Sequence, residues 1–225
     1  MTADDQDRPD DRDRLLVSPH QRYGERLRTN LSAEGVQARI IEAETRSLAR
    51  TFENLTASGA VPRAATIMLG ARRRYLAGEG KSAAYADLLN ADLGATLSNV
   101  FLVDGRALTA LTVLTDVRAS DVLVLFSLRR YRGETVRLGR LFHRAGGQLV
   151  VVTDSQDAPL AGIADALIVV NTGSASYADS PTAVAAVCHL LSTLTTASAK
   201  GARRRLSMRD EIGATLDLYQ ADRNA

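Results

Sequence analysis

Between Ser32 and Leu55, apolar residues fall at Val36, Ile40, Ile41, Leu48, Phe52 and Leu55, the three- and four-residue spacing of one helical face. A long amphipathic helix over residues 31 to 58 is predicted, with an apolar stripe that needs covering. A second copy of the chain would cover it and give a homodimer or homotetramer; packing within the chain would also do so. After Pro62 the pattern changes. Short apolar runs at RRYLAG (73 to 78), NVFLVD (99 to 104), DVLVLFS (121 to 127), QLVVVTD (148 to 154) and ALIVV (166 to 170) alternate with helix-length segments. Runs so uniformly apolar fit strands buried on both faces, and the intervening segments fit crossovers between parallel strands. Residues 59 to 219 therefore read as one α/β domain, a doubly wound five-stranded parallel sheet flanked by helices.

Local signals refine that outline. Leu138, Leu141, Phe142 and Ala145 mark one face of a helix between the third and fourth runs, and Gly146-Gly147 stops it. Ser180-Pro181 reads as an N-cap and first-turn pair for a helix lined by Val184, Val187, Cys188, Leu191 and Leu194. Residues 202 to 219 are expected to be helical and 220 to 225 to form a tail. Residues 1 to 30 carry seven acidic and six basic side chains and few large apolar ones, too little burial to offset chain entropy, so this stretch is expected to be mobile.

Composition narrows the function classes. A length of 225 residues suits one domain with a helical extension. With 28 basic and 26 acidic residues the formal charge is +2, so no whole-chain field draws in nucleic acid and any anion site must be local. The single cysteine, Cys188, rules out a disulfide framework and a cysteine-based metal cluster, and a reducing cytoplasm fits. No apolar run approaches the ~20 residues of a membrane span, and the first residues are acidic rather than a signal-like lead.

In a doubly wound sheet, ligands gather at the carboxyl ends of strands. The first run ends in Gly78-Glu79-Gly80-Lys81-Ser82, where glycines allow a tight turn and Ser82 can cap the next helix and donate to an anion. The third glycine of a dinucleotide fingerprint and the spacing of a P-loop are both missing, so no nucleotide cofactor, and no cofactor of any kind, is expected. The third run ends in Ser127-Leu128-Arg129-Arg130-Tyr131-Arg132-Gly133-Glu134-Thr135, with hydroxyl and guanidinium groups around the next helix start. Arg137, Arg140 and Arg144 read as a solvated face. The fourth ends in Thr153-Asp154-Ser155 and a turn-rich loop, Asp157 to Leu160, that could close over a ligand.

In this order the signals are recognisable. From about Leu48 to Leu194 the chain resembles the sugar isomerase (SIS) domain, on three segments: GEGKS, DVLVLFSLRRYRGETV and GGQLVVVTDSQDAPLAGIADALIVV. SLRRYRGET and the helix IIEAETRSLARTFENL resemble the effector-binding half of RpiR-type transcriptional regulators. Their helix-turn-helix domain has no counterpart among the charged residues before that helix, so specific nucleic acid binding is not expected. The resemblance implies a phosphorylated-sugar ligand. It matches Gly78, Gly80 and Ser82 to the family's first phosphate-contacting turn, Ser127 to the first serine of its S-x-S-G-x-T loop, and brings Ser180 near its last ligand-facing helix. Three loop positions depart, with Arg129, Arg130 and Arg132 standing for serine, glycine and threonine. Arginine can replace hydroxyls by bidentate pairing, with a different grip on the anion.

Three functions remain. The first is a non-catalytic binding protein for a sugar phosphate or related derivative, with Gly78, Gly80, Lys81, Ser82, Ser127, Arg129, Arg130, Thr135 and Ser180 around the ligand. The second is an aldose-ketose isomerase, which needs a general base near the sugar; Glu79 is that candidate, ahead of Glu134, which a helix start would also employ as a cap. His20, His143 and His189 lie at no predicted strand end. The third is a structural partner of a full-length regulator or enzyme. No metal ligands are identified.

Overall fold

The computed structural model describes residues 18–27 and 32–218. Of the stretch expected to be mobile, Pro19–Leu27 forms a helix, α1; the rest of residues 1 to 31, apart from Ser18, lies outside the described residues. The tail from 220 lies outside them as well. Helix α2 spans Ala33–Ser58, with the Ser32 hydroxyl accepting from the Gly35 N–H at 3.2 Å and Gly59 ending it in the left-handed region. There follow α3 (Ala60–Gly70), β1 (Arg73–Gly78), α4 (Lys81–Thr96), β2 (Val100–Val103), α5 (Ala110–Thr115), β3 (Asp121–Phe126), α6 (Gly133–Arg144), β4 (Gln148–Thr153), β5 (Ala166–Val169), α7 (Thr182–Ala197) and α8 (Ala202–Thr215). Each apolar run becomes a strand, with ends within one residue of those predicted.

All strand pairs are parallel, in the order β2-β1-β3-β4-β5. After β1 the chain steps to one side, and from β3 onward to the other, so the topological switch lies between β1 and β3. Alternate side chains feed two core layers. Leu76, Val122, Val124, Phe126, Val150, Val152 and Ile168 pack under α3, α4 and α7. On the other face Tyr75, Ala77, Leu123, Leu125, Leu149 and Val151 pack under α5 and α6. Among the described residues no single helix is long and apolar enough to cross a membrane.

The α2 stripe divides. Leu55 is buried and Leu48 packs against the same core, with Ser47 and Thr51 also buried, whereas Ile41 is 56% and Phe52 40% exposed. The carboxyl half of α2 is thus held by its own domain: Ser47 Oγ donates to the Gly173 carbonyl at 2.7 Å, and Thr51 Oγ1 accepts from the Asn171 N–H at 2.9 Å. Two local predictions need correction. Helix α7 begins at Thr182, with Pro181 at its N-cap, so Ser180 lies one residue outside, yet its hydroxyl accepts from the Thr182 N–H at 3.1 Å. The loop after β4 does not close over a ligand, because Leu160 is fully buried and anchors it in the second core layer.

Candidate functional site

At the switch point the carboxyl ends of β1 and β3 open into a cleft of about 270 Å³. Its floor is Phe126 and Tyr85, rings tilted by 42° with centroids 6.1 Å apart. Burial, then the neighbouring Cys188 and Asp179, push the Tyr85 phenol up to about 12, so it stays neutral. Glycine is required at two places in the first wall. A Cβ on Gly78 would lie 2.5 Å from the Ser82 carbonyl oxygen, where the first turn of α4 crosses the end of β1. Gly80 takes φ 60° at the N-cap of α4, a conformation L side chains avoid. That turn delivers Lys81 and Ser82 to the cleft and aims the positive end of α4 at it.

Ser127, one residue beyond β3, faces the same cleft. Its backbone N–H donates to the Val152 carbonyl at 2.9 Å, which holds the loop start in register. Its hydroxyl is buried and has no hydrogen-bond partner, in a residue only 2% exposed. Ser82, 8% exposed, and Thr135, 4%, line the cleft with it. Buried hydroxyls without partners are rare, because desolvating one costs about 1–3 kcal/mol.

The other expected side chains divide into those turned inward and those already engaged. Arg129 lines the cleft, but its Nε donates to Asp154 Oδ2 at 3.0 Å, and Tyr131 holds the other oxygen, Oδ1, at 3.0 Å. Burial, then Asp154, push the Tyr131 phenol up to about 12, so it remains a donor. Arg130 is exposed at the rim. Lys81 Nζ donates to the backbone carbonyl of Asp179, tying α4 to the loop before α7. Ser180 Oγ donates to Glu44 Oε2 from α2; its hydroxyl is thereby taken up by α2 and the start of α7. Arg132 reaches over Gly80, its Nε 3.1 Å from where a Cβ there would sit.

Glu79 stands on the ridge between this cleft and a second cavity of about 420 Å³ that Glu134, Thr135 and Arg137 line with it. Burial first, then hydrogen bonding and repulsion from Glu134, raise its carboxyl above the usual range, against the pull of Arg132 and Arg137. A carboxyl so placed can hold or accept a proton closer to neutrality than a solvated one. Sequence reasoning missed Arg22, Tyr85, Thr172 and Asp179, all in the cleft wall. None belongs to a strand-end motif, so only their long-range neighbours identify them. Among the described residues no cluster of His, Cys, Asp and Glu could hold a metal ion.

Comparison with known proteins agrees with this architecture. The sugar isomerase domain of an RpiR transcription factor from Sphaerobacter thermophilus superimposes with a TM-score of 0.72 at 24% identity, over 80% of this chain and 98% of that one. The Vibrio vulnificus NanR protein complexed with ManNAc-6P gives 0.63 at 14% identity, over 77% and 68%. An E. coli CFT073 protein in complex with arabinose 5-phosphate gives 0.52 at 18% identity, over 84% and 99%. At such identities the likeness is one of fold. No curated protein matches the sequence at a significant level. Among the described residues no helix-turn-helix domain accompanies the sheet. Residues 67–198 match the SIS domain family, over half of the chain and from the end of α3 to the end of α7, and with the parallel β2-β1-β3-β4-β5 sheet this makes the chain a member of the SIS domain family.

Proposed function

We propose that this chain binds a phosphorylated sugar, or a related phosphorylated carbohydrate derivative, in the cleft between β1 and β3, and that it does so as a sensor without turnover. The observation that carries the reading is Ser127, a buried hydroxyl with no partner, facing the cleft that Ser82 and the amino end of α4 also face. A phosphoryl group has the acceptor oxygens to satisfy that hydroxyl, and the helix dipole favours its charge. The cleft suits a small anion better than a nucleotide. Its hydroxyls and amides fix a phosphate, and the aromatic floor accepts the apolar face of a sugar ring. Two fold neighbours are complexes with ManNAc-6P and arabinose 5-phosphate, which supports the same ligand class here. Self-association through the exposed part of α2, at Ile41 and Phe52, belongs to this reading, and light scattering at micromolar concentration tests it by mass.

Thermal melting with inorganic phosphate, ManNAc-6P and arabinose 5-phosphate tests the ligand class. A ligand at a hundred times its Kd stabilises by about 2.7 kcal/mol, roughly 5 to 10 °C for a chain of this size. Unchanged melting with every probe would remove the reading. A second reading, an aldose-ketose isomerase, is favoured by the raised Glu79 carboxyl beside Glu134. Turnover of a bound sugar phosphate by wild type, lost in Glu79→Gln, would establish it in place of the sensor.

A further inference from the structure

The match to the SIS family begins at residue 67, yet α1, far upstream, supplies two residues of the cleft wall, Pro19 and Arg22. On a nine-residue surface helix an arginine ordinarily keeps its head in water. Arg22 does not: its side chain is 13% exposed. Nη1 pairs with Asp179 Oδ1 on the loop before α7, and Nε is buried without a partner. Tyr23 adds a second tie to that loop through an edge-on contact with Tyr177, centroids 6.4 Å apart.

The neighbouring cations are already committed, which gives Arg22 its chemical opening. Arg129 is engaged by Asp154 and Lys81 by the Asp179 carbonyl. The loop after β3 holds arginines where hydroxyl donors would approach an anion. Within the cleft two buried donors are unsatisfied, the Ser127 hydroxyl and the Arg22 Nε–H, and leaving such groups unpaired is costly. One anion with several acceptor oxygens relieves both. The carboxylate of Asp179 orients the guanidinium, and its planar fork keeps further N–H donors for a phosphoryl oxygen.

We infer that Arg22 is a ligand-binding residue, so that α1, outside the SIS core, completes the anion site and contributes a charge-assisted contact to the ligand's phosphoryl group. This rests on the cleft being a phosphate site. The experiment is calorimetric titration of the full chain with inorganic phosphate and, in parallel, arabinose 5-phosphate, for wild type, Arg22→Met, Arg22→Lys and Asp179→Asn. Methionine keeps the apolar stem and removes the guanidinium, so the unliganded melting temperature should hold while binding weakens about tenfold or more, the loss of a hydrogen bond to a charged group. Lysine should recover part of the affinity, since it restores charge without the fork. Asp179→Asn should bind as well as wild type or better, because it removes a competing anion and leaves Arg22 in place. Equal affinity in wild type and Arg22→Met overturns the inference. Equal weakening in Arg22→Met and Asp179→Asn overturns it too, making Arg22 a brace for the loop. If wild type binds neither probe, the phosphate-site reading itself fails and this inference falls with it; should Arg22→Met not fold, the Arg22→Lys and Asp179→Asn pair decides in the same sense.

Discussion

The two ends of the sheet treat polar groups in opposite ways. At the amino edge, Arg73 grips Asp121 through Nε at 3.1 Å and Nη2 at 2.6 Å and reaches Asp116 at 2.7 Å. Next to it the buried Arg74 spends its guanidinium on the carbonyls of Met68, Leu69 and Ser98, at 2.5, 3.0 and 3.2 Å, so that it caps the end of α3. Burial alone would raise Asp121, but Arg73, the Arg118 amide and Arg72 outweigh it and hold the carboxyl below its ordinary range. At the carboxyl edge the Ser127 hydroxyl and the Arg22 Nε lack partners, and Glu79 faces a like charge. Ions satisfied in this way stabilise the fold. Donors left unpaired in a cleft raise the free energy of the empty state, and a ligand that supplies acceptors recovers that cost.

The comparison breaks most visibly at Asp121, which is fully buried. Asp121→Asn keeps the shape but strands Arg73, and removing one partner of a buried pair should cost about 3 kcal/mol in urea unfolding. Phosphate binding at the other edge should be untouched; a parallel loss of binding would show that the two ends are not independent. The pH dependence has a definite sign. A depressed carboxyl contributes stability that is present above its unfolded pKa and lost as pH falls through the folded one, so wild type should lose stability below about pH 4 and Asp121→Asn should lose less.

Ser127→Ala sharpens the contrast from the other side. Sugar-phosphate affinity should fall by about 1–3 kcal/mol while the unliganded protein keeps or slightly gains stability, since an unpaired buried hydroxyl is removed. Isothermal titration and melting of the same sample read both quantities. A large loss of unliganded stability would mean the hydroxyl is bonded within the fold.

The smallest effect is expected at Glu79. Its folded pKa is raised, so its contribution is complete below the unfolded pKa and declines as pH rises through the folded value. Solvent screening keeps that contribution below about 1 kcal/mol. Glu79→Gln should flatten this slope in melting curves between mildly acidic and neutral pH. An unchanged slope would place the two carboxyls too far apart to interact.

Legibility in the sequence followed the range of the interaction. Strand β3 was readable because DVLVLF is buried on both faces along its whole length, and α2 because Ser32 and Gly59 cap it locally. The turn at Gly78 to Ser82 was readable because only glycine suits its left-handed residue and its close approach. The side chains around the ligand space were legible as residue types and not as partners. Arg129 looked available and is bound to Asp154; Ser180 looked like a cap and a ligand contact, and it meets Glu44.

What the sequence by itself determined, then, is the order and type of elements and the strand ends where chemistry collects. These depend on periodicity and backbone conformation within a few residues. Only the tertiary structure decided which polar groups are spent and which are free. Arg22 meets Asp179 across 157 residues, Glu44 meets Ser180 across 136, and Lys81 meets Asp179 across 98. It also divided the α2 stripe between its own core and solvent. No local pattern encodes such pairs, because each forms only after the sheet has brought distant segments together, and their energies depend on burial that the fold itself creates.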